Sequence, residues 1–410
     1  MKTQQSLAPI SSIIEELASI GKTKDGGVTR LLYTPVWNKA QQTIHKLFKQ
    51  HGFAPFYDDI GNVYGRVEGT NKEEPVVLTG SHIDTVVNGG KYDGAYGVLA
   101  SLLAVSELVH THGQPKRTID VVSFCEEEGS RFPLNFWGSG NLTGIHQDKN
   151  YRETKDTNGK FFYDEMNEFG FGLGHYQNPL RQDLGYFVEL HIEQGSILED
   201  AGESLGIVKG IVGQKRFIFT VTGESNHAGT TPMNKRRDAM DTATTLVQKL
   251  IQAGHSMDES FVATVGQFNV LPNTPNVIPG QITFTLDIRH PHSETLNVYH
   301  ERIYSFVDEL GTSDIAVSVE QYSDVAPVSM SENLTSLAYD YAQQSQLKSR
   351  YMYSGAGHDA QILGSAVPTC LLFVPSVKGI SHSPYEFTEQ EDLQVGLDAL
   401  KHVLYQLAYQ

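Results

Sequence analysis

The sequence of 410 residues alternates between apolar, strand-like segments and helical segments, and this alternation is interrupted between residues 213 and 329. The patterns of short buried strands lie at 75–82, 118–125, 186–191 and 368–374, each an apolar run bounded by polar or turn-forming residues. A helical pattern follows the first of them and ends at Gly113, a residue type that commonly stops a helix. The alternation predicts an α/β fold, in which helices flank a mostly parallel sheet.

The interrupting stretch has a different pattern, with elements in the order β-α-β-β-α-β. Strand patterns lie at 216–223, 261–270, 280–289 and 313–321, and helical patterns at 238–253 and 294–310. That order is typical of the split βαβ sandwich, a small α+β unit. We therefore expect one domain made of residues 1–212 and 330–410, with a second domain, 213–329, inserted into it. A capping-box pattern, Thr388 followed by Glu391, predicts the start of a long C-terminal helix.

Composition excludes several classes of protein. A formal charge of −17 disfavours binding to nucleic acid or to anionic lipid, and 39% hydrophobic with only 19% charged residues excludes a disordered chain. The most apolar stretch, 96–109, is too short to span a bilayer, and the N-terminal residues lack the pattern of a secretion signal. Cys125 and Cys370 are too few for a disulfide framework or a cysteine-based zinc site. We expect a cytoplasmic protein without nucleic-acid or membrane partners.

Side chains that bind metals follow each of the four strand-like segments. They are His82 and Asp93 after the first, Glu128 after the second, His191 at the end of the third and His382 after the fourth. In open α/β sheets ligands bind beyond the carboxyl ends of the strands, so we expect these side chains to converge. Imidazoles and carboxylates without a thiol suit zinc, manganese, cobalt or nickel. An aspartate shared by two ions would give a paired-metal site that activates water.

Each of these residues also has a structural interpretation. A single histidine after a strand is usually a structural residue, three consecutive glutamates (126–128) are usually a solvated loop, and Asp93 could cap the helix that follows it. The recurrence of such residues at four strand ends is what favours a metal site.

Several longer motifs resemble those of the M20-type metallopeptidase superfamily. They are GSHIDTVVNGGKYDGAYG, EEEGSRF, ELHIEQG, GESNHAGTTPMNKRRDA, PNTPNVIPG, DIR, SGAGHDA and GISHSP, which occur in the family's order over nearly the whole chain. Within the superfamily the motifs are most similar to the amidohydrolase branch, which holds N-carbamoyl-L-amino acid hydrolases, β-ureidopropionase and the allantoate amidohydrolases. The last group is the most similar of the three.

The resemblance implies a role for each residue of the expected metal site. His82 and His191 would bind one ion, Glu128 and His382 would bind the second, and Asp93 would bridge both. The implied cofactor is two divalent ions per subunit, Mn²⁺ or Zn²⁺, with Co²⁺ or Ni²⁺ as alternatives. Two further carboxylates take part without being metal ligands: Glu127 as general base and Asp84 as the group that orients the imidazole of His82.

The resemblance also assigns the groups that contact the substrate. His227 would reach the active site of a neighbouring subunit and stabilise the oxyanion, although from its pattern alone it could be a turn residue. Asn276 and Arg289 would hold the substrate carboxylate, and Gln194 and Gln214 would make further polar contacts. Arg289 could otherwise be a surface strand residue. A residue that acts across an interface requires at least a homodimer, with the inserted domain as lid and dimerisation surface.

The implied activity is hydrolysis of the ureido group of a small anionic substrate. The first expectation is allantoate, converted to ureidoglycine, ammonia and carbon dioxide in the salvage of ureide nitrogen, and the alternative is an N-carbamoyl-L-amino acid. A dipeptidase or aminopeptidase of the same superfamily is disfavoured by His191 in its HIEQG context. A catalytically inert binding protein is disfavoured by the presence of Glu127, and a nucleotide-binding oxidoreductase by glycines at 138–144 and 170–174 that lack the G-x-G-x-x-G spacing.

Overall fold

A computed structural model describes residues 9–147 and 149–410. The chain divides into two compact units. The first comprises the chain up to Lys209 and again from Ser329 onward, and the second is Gly210–Val328. The second unit and the insertion expected at 213–329 therefore cover nearly the same residues.

The elements follow one another along the chain in three groups. Before the second unit they are α1 (Ile10–Ala18), α2 (Pro35–Gln50), β1 (Ala54–Tyr57), β2 (Val63–Val67), β3 (Val76–His82), α3 (Ala95–His112), β4 (Ile119–Phe124), α4 (Trp137–Thr143), α5 (Phe162–Glu168), β5 (Leu184–Ile192), α6 (Ile197–Ala201) and β6 (Leu205–Ile211). The second group is β7 (Gly213–Thr222), β8 (Asn226–His227), α7 (Ala239–His255), β9 (Val262–Leu271), β10 (Val277–Ile278), β11 (Gln281–His290), α8 (Ser293–Leu310) and β12 (Ala316–Val325). The last group is β13 (Val328–Ser329), α9 (Glu332–Gln344), β14 (Ser349–Ser354), α10 (Asp359–Leu363), β15 (Thr369–Val374) and α11 (Gln390–Tyr409).

The first unit is built on a large mixed sheet with the strand order β1-β2-β4-β3-β5-β15-β6-β13, in which β14 also pairs with β6. The four central strands, β4, β3, β5 and β15, are parallel to one another, whereas β2 and β6 flank them in antiparallel orientation. These four are the strands that the apolar segments predict. The α/β prediction of a mostly parallel sheet flanked by helices is confirmed.

Burial explains why these four strands carry the clearest sequence signal. Every residue of β3, β4 and β15 is buried, as is usual for parallel strands that have helices on both faces. Helices α3 and α11 pack against each other and against the sheet, and leucines such as Leu99, Leu190, Leu372 and Leu400 join them in one core. The core fixes the strands, and the strands fix the loops at their carboxyl ends.

The second unit is a four-stranded antiparallel sheet with the order β12-β7-β11-β9 and helices α7 and α8. One face of the sheet packs on the helices through a core that includes Phe217, Phe284, Leu286 and Tyr299. A separate two-stranded ribbon pairs β8 with β10. The ribbon is too short to leave an alternating pattern, and the sequence does not predict it.

The predicted long C-terminal helix is confirmed as α11, but the prediction that Thr388 caps it is wrong. Helix α11 begins at Gln390 with Glu389 as its N-cap, and that residue makes no side-chain cap. The hydroxyl of Thr388 instead donates to the carbonyl of Pro375 at 3.0 Å. Thr388 lies one residue too early to cap the helix, and its hydroxyl binds the preceding loop.

Among the described residues, no helix is long and apolar enough to cross a membrane.

Candidate metal centre

The loops at the carboxyl ends of the four central strands hold the residues expected to bind metal. His82 is the last residue of β3, His191 lies next to the end of β5, Glu128 follows β4 and His382 lies between β15 and α11. Asp93 immediately precedes the N-cap of α3. Because the strands are parallel, their carboxyl ends lie at the same edge of the sheet. The structure brings all five side chains together there.

The first cluster consists of three buried residues, His82, Asp93 and His191. The Oδ1 atom of Asp93 lies 3.5 Å from Nε2 of His82 and 3.2 Å from Nε2 of His191. The Nδ1 atom of His191 is turned away, 2.9 Å from the carbonyl oxygen of Ile192. With Nδ1 occupied in this way, the ring presents Nε2 to the cluster.

The second cluster shares Asp93 with the first and adds Glu128 and His382. The Nε2 atom of His382 lies 3.2 Å from Oδ2 of Asp93 and 3.4 Å from Oε1 of Glu128. Half of the His382 side chain is exposed (50%), so this cluster is open to solvent. Asp93 thus offers one carboxylate oxygen to each cluster, the arrangement expected of a shared ligand.

The side chains fit divalent cations. In each cluster the ligand atoms lie within 4.8 Å of one another, and the imidazole and carboxylate donors are those that zinc and manganese accept. The environment favours positive charge: burial lowers the pKa of His82, but the surrounding carboxylates, Asp84 foremost, outweigh it and raise that pKa well above its ordinary value. At the same place the Oε1 atom of Gln194 is buried without a partner among the described atoms.

Asp84 connects the two strand ends that carry His82 and the glutamates. Its Oδ1 atom lies 3.2 Å from Nδ1 of His82. The same carboxylate accepts the backbone N–H of Glu127 and of Glu128, each at 3.1 Å. The backbone carbonyl oxygen of Asp84 also lies 3.2 Å from His82 Nδ1. Asp84 therefore contacts the imidazole through its backbone and its side chain and holds the chain that follows β4, the arrangement expected of a carboxylate behind a metal ligand.

Glu127 lies beside the clusters without belonging to either. Its Oε2 atom is 4.0 Å from Nε2 of His82. Burial raises the pKa of Glu127 well above its ordinary value, the nearby imidazole of His82 opposes this, and the carboxylate of Glu128 adds to it. Glu126 is directed elsewhere, because its Oε1 atom accepts the backbone N–H of Ser130 at 3.2 Å. A buried carboxylate that holds a proton readily is suited to general-base work.

The structure places Gln194, expected to contact the substrate, directly against the clusters. Its Nε2 atom donates to Oδ2 of Asp93 at 2.9 Å and to the hydroxyl of Ser381 at 3.3 Å. It also lies 3.4 Å from Nε2 of His382. Gln194 thus contacts both the shared carboxylate and the more exposed cluster.

Within the second unit, His227 and Asn276 lie close together. The β8–β10 ribbon pairs His227 with Val277, and the backbone N–H of Ala228 donates to the carbonyl of Asn276 at 3.0 Å. His227 is exposed, and its Nδ1 atom accepts the backbone N–H of Gly229. The ribbon therefore presents an accessible imidazole next to the loop that carries Asn276.

Gln214 and Arg289 also lie together, on the face of the second sheet away from the helices. Both bind Asp287: Gln214 Nε2 donates to its Oδ2 atom at 2.7 Å, and Arg289 Nε donates to its Oδ1 atom at 3.1 Å. Arg216 binds the same carboxylate at 3.0 Å. The sequence motifs do not indicate Asp287 or Arg216, although each lies two residues from a predicted site residue, and residues two apart on a strand point to the same face.

Glu386 is a further buried residue at this centre that the motifs do not indicate. Its carboxylate accepts backbone N–H groups of the loop that carries Asp93, and burial, together with the charge of Asp93, raises the pKa of Glu386 to about 7. The one sequence feature that could have indicated Glu386 is its position four residues after His382, in SHSPYEF. A second missed neighbour is His358, whose ring centre lies 4.5 Å from that of His191.

Comparisons with known proteins cover almost the whole chain. The profile of peptidase family M20/M25/M40 matches residues 78–406. An allantoate amidohydrolase of Bacillus subtilis (strain 168) is 45% identical over 98% of this chain and 97% of its own length. An N-carbamoyl-L-amino-acid amidohydrolase of Paenarthrobacter aurescens is 35% identical over 92% of each chain. The crystal structure of an amidase of the hydantoinase/carbamoylase family from Burkholderia multivorans superimposes with a TM-score of 0.92, at 34% identity over 98% of this chain and 97% of that one.

Proposed function

The chain belongs to peptidase family M20/M25/M40, and from that membership we propose that it is a metal-dependent amidohydrolase that cleaves the ureido group of allantoate. The products are ureidoglycine, ammonia and carbon dioxide. The observation that carries the choice of substrate is the 45% identity to an allantoate amidohydrolase over nearly the full length, against 35% for an N-carbamoyl-L-amino-acid amidohydrolase.

In this proposal the two clusters hold two divalent ions. His82 and His191 would bind one ion, and Glu128 and His382 would bind the other. Asp93 would be shared, which is supported by the position of one of its oxygens in each cluster. When bound, such ions polarise the carbonyl group of the substrate and lower the pKa of water. Mn²⁺ and Zn²⁺ are the proposed ions, because the donor set accepts both.

Glu127 is the proposed base. A carboxylate that binds a cation has its lone pairs engaged, so Glu128 is unsuited to accepting a proton, whereas Glu127 lies outside both clusters. Glu127 takes the proton of the attacking water as the new C–O bond forms, then delivers it to the leaving nitrogen as the C–N bond breaks. Burial raises the pKa of Glu127, which favours its uptake of the proton.

The substrate carboxylate is the proposed partner of Arg289 and Asn276. A guanidinium is planar and meets a carboxylate with two parallel hydrogen bonds. Arg289 supplies a partly exposed guanidinium for this role, although its Nε and Nη2 atoms donate to Asp287 in the structure. Gln194 and Gln214 make further polar contacts in this proposal.

We also propose that the enzyme is a cytoplasmic homodimer that acts in ureide nitrogen salvage, with the second unit as lid and dimerisation surface. His227 acts in the neighbouring subunit, where it donates to the oxyanion that forms on the attacked carbonyl. The exposure of His227 supports the proposal, because a residue that works in a partner's active site must be accessible in its own chain.

Hydrolysis of N-carbamoyl-L-amino acids is the second candidate. It is favoured by the amidohydrolase of Paenarthrobacter aurescens, which matches over 92% of the chain. Both substrates have a ureido group and a carboxylate, so the same ligands and the same base would serve either reaction.

The test is ammonia release by protein stripped with a chelator and then reloaded with Mn²⁺ or Zn²⁺. We expect turnover of allantoate only after reloading. A His191→Ala variant should stay inactive, whereas His45→Ala, which removes a remote histidine stacked on Tyr57, should behave as wild type. Turnover of carbamoyl amino acids with none of allantoate would replace the first candidate by the second, and the absence of turnover with either would reject both.

A further inference from the structure

We propose that Glu386 is a positioning residue that holds the Asp93 loop against the segment carrying His382 and thereby sets the metal affinity of the more exposed cluster. This inference rests on the proposed metal centre. It adds a residue that makes no contact with the ion or the substrate and acts through the ligands.

The Glu386 carboxylate connects two segments that are far apart in the chain. Its Oε1 atom accepts the backbone N–H of Tyr92 at 2.9 Å and of Asp93 at 3.1 Å. Its Oε2 atom accepts the hydroxyl of Ser381 at 3.0 Å, and Ser381 immediately precedes His382. One side chain therefore fixes the backbone of the shared ligand and the residue next to a ligand of the second cluster.

The packing around Glu386 leaves little room for another arrangement. The residue is 3% exposed. A Cβ atom added at Gly90 would lie 1.9 Å from Oε1 of Glu386, so the glycine is needed for the carboxylate to approach the loop this closely. The position of Asp93 thus depends on a contact that both the glycine and the glutamate permit.

A hydrogen-bond relay continues from Glu386 to the ligands. The hydroxyl of Ser381 lies 3.4 Å from Oδ2 of Asp93, the oxygen that faces His382, and accepts from Gln194 Nε2 at 3.3 Å. Loss of the Glu386 carboxylate would therefore disturb the oxygen that serves the second cluster.

The two histidines of the first cluster are held in place without Glu386. His82 and His191 lie on β3 and β5, which the sheet holds in register. His382 lies on a loop and has a positive φ of 54°, which a side-chain-bearing residue adopts only when its surroundings impose it. The two clusters should therefore respond differently to a change at Glu386.

The experiment is calorimetric titration of the metal-stripped full-length protein with Zn²⁺. We expect wild type to bind two ions and Glu386→Ala to lose affinity for one of them by about 10–100-fold, while the tighter site changes by less than about threefold. Glu386→Gln keeps the Oε1 acceptor for both backbone N–H groups, and Ser381 can accept from the new amide, so its affinities should return to within about threefold of wild type.

The control is Asp120→Ala. Asp120 is an equally buried carboxylate of the first unit, paired with Arg66 and Arg181, and lies near the start of β4, at the end of the strand away from Glu128. This variant should unfold at a lower temperature and keep both metal affinities. Should Glu386→Ala fail to fold, Glu386→Asp takes its place, because a side chain one methylene shorter cannot reach both segments.

Retention of both affinities in Glu386→Ala, or an equal loss at both sites, would overturn the inference. So would a Glu386→Gln variant as impaired as Glu386→Ala. Binding of fewer than two ions by wild type would contradict the proposed paired-metal function instead, so the two failures are distinguishable.

Discussion

The Oδ1 atom of Asp84 lies 3.2 Å from Nδ1 of His82, and both residues are almost fully buried. The same carboxylate binds the backbone of Glu127 and Glu128. One side chain therefore contacts a proposed metal ligand and the backbone of both the proposed base and a second proposed ligand. We expect metal binding and activity to depend on that carboxylate.

Asp84→Asn should weaken metal binding and lower activity by about 10–100-fold. In wild type the carboxylate faces His82 Nδ1 and two backbone N–H groups. The amide of the variant has one acceptor oxygen and one NH₂ donor, so its NH₂ group must face one of these three nitrogens in place of an acceptor. Metal titration and kcat measure the effect. Asp120→Asn is the control, because Asp120 is a buried aspartate near the start of β4, at the end of the strand away from Glu127 and Glu128. Wild-type metal affinity in Asp84→Asn would show that the contact with His82 has no orienting role.

Glu127→Gln should keep its metal and lose about 10²–10⁴-fold in kcat, because the amide cannot accept the proton of water. Glu128→Gln should instead reduce the metal content of the protein, because Glu128 is a proposed metal ligand. Elemental analysis of the purified variants together with steady-state kinetics separates the two. Near-normal turnover in Glu127→Gln would remove this residue from the base role.

Arg289→Lys should raise KM by at least about tenfold and change kcat little, because a lysine cannot make two parallel hydrogen bonds to the substrate carboxylate. Arg237→Lys in the same unit is the control, since Arg237 is exposed and pairs with Glu224 and Asp314. An unchanged KM in Arg289→Lys would exclude the arginine from carboxylate binding.

The proposed action of His227 across a subunit interface has a direct test by mixing variants. His227→Ala and Glu127→Gln should each be inactive alone. Unfolded together and refolded as a mixture, they should regain about a quarter of wild-type activity, because half of the dimers are mixed and one of their two sites is complete. No recovery in a mixture shown to contain mixed dimers would place His227 in the active site of its own chain.

The buried ion-pair network of Arg131 should make part of the stability dependent on pH. Burial raises the pKa values of Asp156 and Glu165. Hydrogen bonds, including those from Arg131, outweigh burial, so the pKa of Asp156 lies below its ordinary value of 3.8 and that of Glu165 below its ordinary value of 4.5. A folded-state pKa below the unfolded value means that the stabilisation is present above the unfolded pKa and is lost as pH falls through the folded one.

Arg131→Met should therefore lower the free energy of unfolding by about 3–5 kcal/mol at neutral pH. The difference from wild type should shrink as the pH falls below about 4, where the carboxylates become protonated in the unfolded chain and then in the folded one. Urea titrations at several pH values measure it. A difference that stays constant down to pH 3 would contradict the assignment.

The sequence predicts the centre of the molecule better than its edges, for physical reasons. Strands β3, β4, β5 and β15 are recognisable because parallel strands covered on both faces are continuous apolar runs. Strands β1 and β2, at one end of the sheet, are short and partly exposed, so their patterns are weak. The clustering of His82, Asp93 and His191 follows from the strand order, because polar residues after parallel strands share one edge.

Residues placed by tertiary contact alone could not be predicted. Glu386 meets the backbone N–H of Asp93 across 293 positions of sequence, and no local pattern indicates that pairing. Thr388 shows the opposite error, because a local capping pattern was present but its hydroxyl is used by the neighbouring loop.

The central claim, hydrolysis of allantoate in preference to other ureido acids, is tested most directly by competition. Metal-loaded enzyme is given equal concentrations of allantoate and an N-carbamoyl-L-amino acid, and both are followed by NMR in one tube, so that relative consumption reports the ratio of kcat/KM values. We expect allantoate to be consumed first, with ammonia released as it disappears. Consumption of the carbamoyl amino acid while allantoate remains intact would contradict the claim.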